Sequence, residues 1–567
     1  MPFEWKRTLK FVTIPCLHKV LTLYRFSILH YYVFSPSNRR AYIHVTTYGE
    51  PAPRIDNCVV SYSTSKTIRV SANDPAYTGP FVVNVTSSQN ITLVAMRNGT
   101  SSFGSYSVYP RENAGIFYDV VSFPYANESH QSEVTVIGVD DDSSDVTFTS
   151  GCAFTLYGDS MDSFTTHTDL NKTVYTATGF LNKTQMIVIR SSDDLTGATV
   201  VGSRKGGKVV VISGSYCPAG SCDVLMEQMP PIQTLGKSYF IVPTKDYPGS
   251  NCFRILAPWD NTMVTTGSLQ MDTNTRSFDL NKGGFHDIDL PDGSLQNVQS
   301  IQSSNPILLM HYLIKSNSNV AAMTIIPPIE QYSSGNVTFT AYNDTSSSGS
   351  RPAVTNFINI ITICDNKNYL RLNRQQISAQ NWQMCPPFDD SDDENIYCAT
   401  QTQLTKNSTY TLGPDSRHKD VLYSAVQYGI RTTDQSAFAH TVFMSFEELT
   451  CNVEKGGVVI PCKTDKPATP TPSSPPTTTM MANDTVMTTV LLNSTVTMVT
   501  ETVVPTASNN STRHKEKSTA RQRTGTGKIT LYYPLTTLDG INTIFTNSRQ
   551  LYSVVHAQCN IRHYPSS

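Results

Sequence analysis

From Asn57 to Leu449 the chain breaks into short runs such as FVVNVTS, EVTVIGV, DVTFTS, QMIVIRS, KVVVISG, SYFIVP and NVTFTAY. Each run is rich in β-branched or aromatic residues, and Gly, Pro, Asn, Asp or Ser bounds it. Alternation with period two puts successive side chains on opposite faces of a strand, and turn residues at both ends stop the run. Helical periodicity over three turns is absent from this region. These patterns predict an all-β fold.

The runs recur in order. KVVVISG (208–214) and NPILLMHY (305–312) each follow a Ser-containing turn and each precede a Pro-Pro pair. Those pairs, Pro230-Pro231 and Pro327-Pro328, stand about 100 residues apart. Strands joined by an Asp turn accompany them at 253–266 and 357–372, with an earlier relative at 133–150. The unit reads as strand, Asp-containing hairpin turn, strand, then a strand-loop-strand carrying Pro-Pro, in three copies with the first incomplete. Tandem units of this size close radially as a β-propeller-like ring or stack as tandem β-sandwiches. The recurrence without linkers favours the propeller. Such a ring would bring the loop tips at Asp140 to Asp145, Asp260 to Thr262 and Asp365-Asn366 to one rim.

Net charge is −2 and charged residues are only 16%. No strong field of one sign arises, which argues against nucleic acid and against an acidic membrane surface. No uninterrupted apolar stretch of about 20 residues provides a membrane span. Twelve cysteines are scattered without a CxxC pair, so tetrahedral zinc lacks its usual close ligand pairs. Thirteen N-glycosylation sequons begin at Asn84, Asn90, Asn98, Asn127, Asn171, Asn182, Asn336, Asn343, Asn407, Asn483, Asn493, Asn509 and Asn510. Cysteines and sequons together favour an oxidising, secreted or extracellular compartment. Cys217 and Cys222, separated by the turn PAGS, are expected to pair. Cys451 and Cys462 bracket NVEKGGVVIP, whose Gly-Gly would close a hairpin, and form a second expected pair.

The ends differ from the middle. Residues 1–56 read as an N-terminal segment, either a signal or a misplaced start of the gene: Lys6, Arg7 and Lys10 precede an apolar run that His18, Lys19, Arg25 and His30 interrupt. Residues 57–462 form the all-β region. Residues 463–525 are Pro/Thr/Ser-rich and carry four sequons, the composition of a disordered, mucin-like stalk. The last segment, 526–567, regains β-like character and reads either as a fragment of a further domain or as a read-through segment.

Chemistry-bearing motifs are missing. GKS at 236–238 lacks the glycine a phosphate loop needs five residues earlier, where Pro231 stands. SGS at 213–215 has no nucleophile-elbow context. The acidic clusters at 140–145 and 389–394 lack EF-hand spacing and read as solvated turns. His311 sits on a strand as a packed core or groove residue. No cofactor, metal or catalytic set is expected.

Two blocks carry a resemblance. DLTGATVVGSRKGGKVVVISGSYCPAGSCDVLMEQMPPIQTLGKSYFIVP (194–243) and SSNPILLMHYLIKSNSNVAAMTIIPPIEQYSSGNVTF (303–339) resemble, in order and spacing, the IgGFc-binding protein N-terminal domain family. The resemblance extends from about Tyr118 to Asn373. Departures are Leu235, where the family usually has Trp, and Gly207-Lys208 in place of Lys-Pro. The resemblance implies an extracellular, non-enzymatic binding or adhesion protein that recognises a protein or glycan partner at a mucosal or cell surface. Immunoglobulin Fc enters only through the family's name. A structural, disulfide-linked mucus or matrix component is the alternative, and a secreted hydrolase rests on fold analogy alone. Gly214 and Gly236 read as positions of positive φ or close approach.

Overall fold

The computed structural model describes most residues between His18 and Ile460. Outside the described residues lie 1–17, 25–28, 35–39, 49–53, 71–80, 99–102, 124–130, 203–206, 217–222, 270–275, 343–353, 389–394, 461–567 and a few shorter internal gaps. Strands dominate, and the described helical residues are confined to 3-10 turns of three to six residues. The all-β expectation holds, and none of the sheets is closed.

Eight sheets of four or five strands follow one another along the chain as four pairs. In each pair one sheet is outer and one inner. Outer strands alternate: Ser144–Ser150 and Thr262–Ser268 bury every second side chain. Inner strands are buried on both faces, as in Met186–Ser191, Leu308–Ile314 and Val320–Ile325. The sequence follows this division. DVTFTS alternates Thr with apolar residues, whereas NPILLMHY and FINIITI are nearly continuous apolar runs.

The two sheets of a pair share an apolar core. In the third pair, Tyr239, Ile241, Val264 and Ile301 of the outer sheet meet Phe253, Ile255 and Leu309 of the inner one. Further clusters join successive pairs. Ile137, Val210 and Ile212 of the second pair join the core of the first. Cys252, Leu308 and Met310 of the third join the second. Leu313 and Ala321 meet Phe357 and Tyr428 of the fourth. Met96 and Phe103 of the first pair meet Tyr342, Val354 and Phe438 of the fourth.

The Asp turns are not hairpins. Gln131–Gly138 belongs to an inner sheet and Ser144–Ser150 to its outer partner, and the two do not pair. Ser250–Leu256 with Thr262–Ser268, and Val354–Ile363 with Leu370–Leu372, repeat the arrangement. Each turn is an arch between sheets. Arch and hairpin use the same turn residues, so the linear pattern does not separate them. Local bonds hold the arches: Asp140 accepts from the Lys208 amide (2.6 Å) and Asp260 from the Lys282 amide (3.0 Å).

Toward the N-terminus, Leu29–Phe34 pairs with Ser65–Val70 and with Thr92–Asn98. The interrupted apolar run therefore supplies strands, and Arg54–Val60 runs across residue 57, where the all-β region was expected to begin. Both Pro-Pro pairs wall off a glycine. A Cβ on Gly115 would collide with Pro231 Cβ, and one on Gly236 would stand 2.5 Å from Pro328 Cβ. Gly214 is likewise held by close approach to the Leu225 carbonyl, and neither Gly214 nor Gly236 has positive φ.

One buried cation clamps the second pair to the third. Arg254 donates to both oxygens of Asp287 (2.8 Å each), to Asp194 (2.7 Å) and to the Ser122 carbonyl (2.9 Å). Its guanidinium also lies 4.1 Å from the Phe285 ring centroid. Every face of the ion is thus partnered, which a buried charge requires.

Candidate functional site

The outer sheet of the fourth pair builds a polar surface cavity of about 550 Å³. Val337–Thr340 pairs with Thr409–Pro414, which pairs with Leu370–Leu372, and the latter turns back into Gln375–Gln376. The turn is Asn373-Arg374, with φ of 51° and 66°. Two-residue turns with positive φ at both positions favour Asn-Gly, because a Cβ in the left-handed region costs about 1 kcal/mol. Here arginine stands where glycine is favoured. Asn373 holds the turn by donating its amide to Thr411 O (2.8 Å) and accepting from Thr411 N (2.9 Å).

Asn336, Arg371, Asn373, Arg374, Thr411 and Asp415 line the cavity. Arg371 donates to the Asn368 carbonyl (2.5 Å), the Leu370 carbonyl (3.0 Å) and Asp415 (3.3 Å). Asp415 also accepts from His418 (2.8 Å), whose ring stacks on Tyr369 at 3.7 Å. The His418 hydrogen bond, aided by the Arg417 amide and by Arg371, holds the Asp415 carboxyl below its ordinary value. This lining of amides, hydroxyls and guanidinium groups suits a ligand rich in hydroxyl and amide groups.

A second polar cluster lies where the inner-sheet edges meet. Phe103–Val108 runs beside Leu225–Gln228 and Ser436–Phe443, and Val320–Ile325 runs beside the same two strands. Their mutual faces are polar and buried: Ser105, Ser107, Glu227, Thr324, His440 and Thr441. Ser105 Oγ lies 2.9 Å from His440 Nδ1, and Thr441 Oγ1 donates to the Ile325 carbonyl at 2.5 Å. Ser107 bonds the Thr441 carbonyl. A serine beside a histidine suggests a nucleophile and its base. However, burial pushes His440 down to about 3, far below a useful general base, and both side chains are sealed from water. Neither Glu227 oxygen makes a hydrogen bond of good geometry among the described residues. Burial raises its carboxyl well above the ordinary value, and only the Ile325 backbone favours the charged form.

The residues singled out in the sequence are dispersed. Among the sequons, Asn90, Asn182 and Asn336 are exposed and Asn84 is half-buried on a strand. The side chains of Asn98, Asn127, Asn171, Asn343, Asn407, Asn483, Asn493, Asn509 and Asn510 lie outside the described residues, as do Cys217, Cys222, Cys451 and Cys462. Between the last two, Val453 pairs with Ile460 and Lys455 with Val458 in a hairpin. The loop tips at Asp140 and Asp260 each bond within their own surroundings, Asp365 lies in the 3-10 turn Cys364–Tyr369, and no described hydrogen bond or ion pair links the three. His311 is a core residue, stacked on Phe253 at 4.1 Å and bonded to Asn251 (3.0 Å). Leu235 is buried in a core cluster, so the departure from the family's Trp is a packing change.

Sequence reasoning missed the Cys364–Cys398 disulfide, which spans 34 residues with Cα atoms 4.9 Å apart. No local spacing signals it. The register does, because Thr362 pairs directly with Cys398. Cys152 is disulfide-bonded as well, while Cys252 and Cys385 are buried thiols.

A family model described as IgGFc binding protein matches residues 104–421. A search of curated proteins finds no match. Among solved structures, a tetra-tandem repeat from the extending region of a large adhesion protein is 10% identical, with a TM-score of 0.09, covering 73% of this chain and 92% of that one. The pilus adhesin SpaC from Lactobacillus rhamnosus GG is 10% identical, with a TM-score of 0.08, covering 55% of this chain and 36% of that one. Superposition at this level establishes no common fold.

Proposed function

Because this chain belongs to the IgGFc binding protein family, we propose that it is an extracellular, non-catalytic binding protein whose β body presents surfaces to a protein partner. The observation that carries the reading is the family match over residues 104–421. The family's description points to an immunoglobulin constant region as the first partner to test. Secretion, N-glycans on the exposed sequon asparagines, the Cys217–Cys222 and Cys451–Cys462 pairs and a mucin-like stalk at 463–525 belong to the same proposal. So does a propeller-like arrangement of the four inner sheets, which their adjoining edge strands support. The sealed Ser105–His440 pair favours binding over hydrolysis, since a substrate has no route to it.

The test is surface plasmon resonance with the immobilised full chain, with immunoglobulin Fc dimers and purified mucin as separate analytes. Saturable Fc binding that survives a salt concentration of about 0.5 M, where exposed charge pairs are screened, is the expected result. Binding to mucin alone would replace the partner by a mucus glycoprotein, and binding to neither would overturn the reading.

A further inference from the structure

We propose that the cavity on the fourth outer sheet is the seat of the chain's own N-linked glycan, carried on Asn336. This rests on the extracellular reading above. Asn336 opens the sequon Asn336-Val337-Thr338 and is the exposed residue just before the strand Val337–Thr340. Its side chain lines the cavity and lies directly over Gly413, where an added Cβ would collide with Asn336 Oδ1. Gly413 therefore leaves room for the asparagine to lie against the sheet. A sugar on its amide nitrogen starts inside the cavity wall.

The rest of the lining has the chemistry to hold a sugar. Arg374 occupies a left-handed position that disfavours any side chain except glycine's hydrogen, yet it lines the cavity. Asn373, Thr411 and Ser416 add amide and hydroxyl groups. Guanidinium, amide and hydroxyl donors match the acetamide carbonyl and ring hydroxyls of an N-acetylglucosamine core. The cavity volume of about 550 Å³ is that of a small-ligand pocket. Thr338, the third residue of the sequon, is fully buried in the folded chain. Oligosaccharide transfer must therefore precede closure of this sheet, so that the strand folds with its glycan already attached. Asn182 offers the contrast, because its exposed sequon lies on a turn and lines none of the described cavities.

The experiment uses the full chain secreted from animal cells. Site occupancy is read by glycopeptide mass spectrometry, and release by peptide-N-glycosidase F is timed under native conditions at each site. Occupied Asn336 whose release is at least tenfold slower than that of Asn182 is the expected result. Arg374→Gly, which keeps the left-handed turn and removes the side chain with its guanidinium, should bring the Asn336 rate toward that of Asn182. Unmodified Asn336 beside modified Asn90 and Asn182 would overturn the inference alone, as would equal release rates in the native protein. Absence of glycan at every sequon would overturn the extracellular reading beneath it.

Discussion

Glu227 is a buried carboxyl whose two oxygens find no hydrogen-bond partner of good geometry among the described residues. It lies on Leu225–Gln228, one of the strands whose edges meet, and is wholly buried. A carboxylate there loses its water without gaining a cation, so the neutral acid is the form the fold accepts. Its folded pKa is raised above the unfolded value, so the folded state binds the proton more tightly. Its contribution to stability is full below the ordinary carboxylate value near 4.5 and is lost as pH rises toward the folded pKa. Asp223, raised to about 6 by burial despite Lys315 at 2.6 Å, adds a slope of the same sign between about 4 and 6. Glu227→Gln removes the first of these. The expected outcome is that wild type loses stability relative to the variant when the pH is raised from about 4.5 to about 7.5. Urea unfolding at the two pH values measures this. Parallel stability curves would mean that Glu227 reaches water or a partner.

At the scale of the elements, the Pro-Pro blocks act as walls. Pro231 and Pro328 each precede a 3-10 turn, Ile232–Thr234 and Ile329–Gln331, and each presents its ring to a glycine of another segment. Proline fixes φ and its ring cannot swing aside, so an alanine at the facing position must displace backbone. Gly236→Ala is therefore expected to destabilise the body by about 1–3 kcal/mol, with Gly115→Ala similar. The midpoint of guanidinium unfolding reads this out, and an unchanged midpoint would deny the contact. These elements also show what the sequence discloses. Strand existence, strand ends and the two blocks were legible because period-two alternation and turn residues are local properties. The partner of each strand was not. The Asp turns cross between sheets, and only tertiary pairing tells an arch from a hairpin. That residues 18–34 supply strands was not legible, because apolar runs broken by basic residues carry no period-two signal until their pairing partners at 65–70 and 81–87 are known. The cavity was equally hidden: Asn336, Asn373 and Gly413 are far apart in sequence, and only the Asn336 sequon stood out.

The four sheet pairs are not beads on a string. Chains of independent sandwiches bury apolar surface within each module and leave polar, weakly packed junctions. In this chain the first pair shares apolar clusters with the second and the fourth, the second with the third, and the third with the fourth. Removing any one pair would expose apolar faces on two others, and removing the second would also strip Arg254 of its Asp194 partner. Multi-module chains ordinarily unfold in several steps. Shared cores remove the gain from unfolding one module alone, because its neighbours' faces must be hydrated at the same time. Differential scanning calorimetry of the full chain should therefore show a single cooperative transition for the β body. Its enthalpy should be on the order of 300 kcal/mol near about 60 °C, the value for roughly 440 residues melting together. Two or more resolved peaks, each with the enthalpy of about 100 residues, would show that the shared clusters do not couple the pairs. One peak matters for recognition too, since a partner that grips any single pair then stabilises all four by mass action.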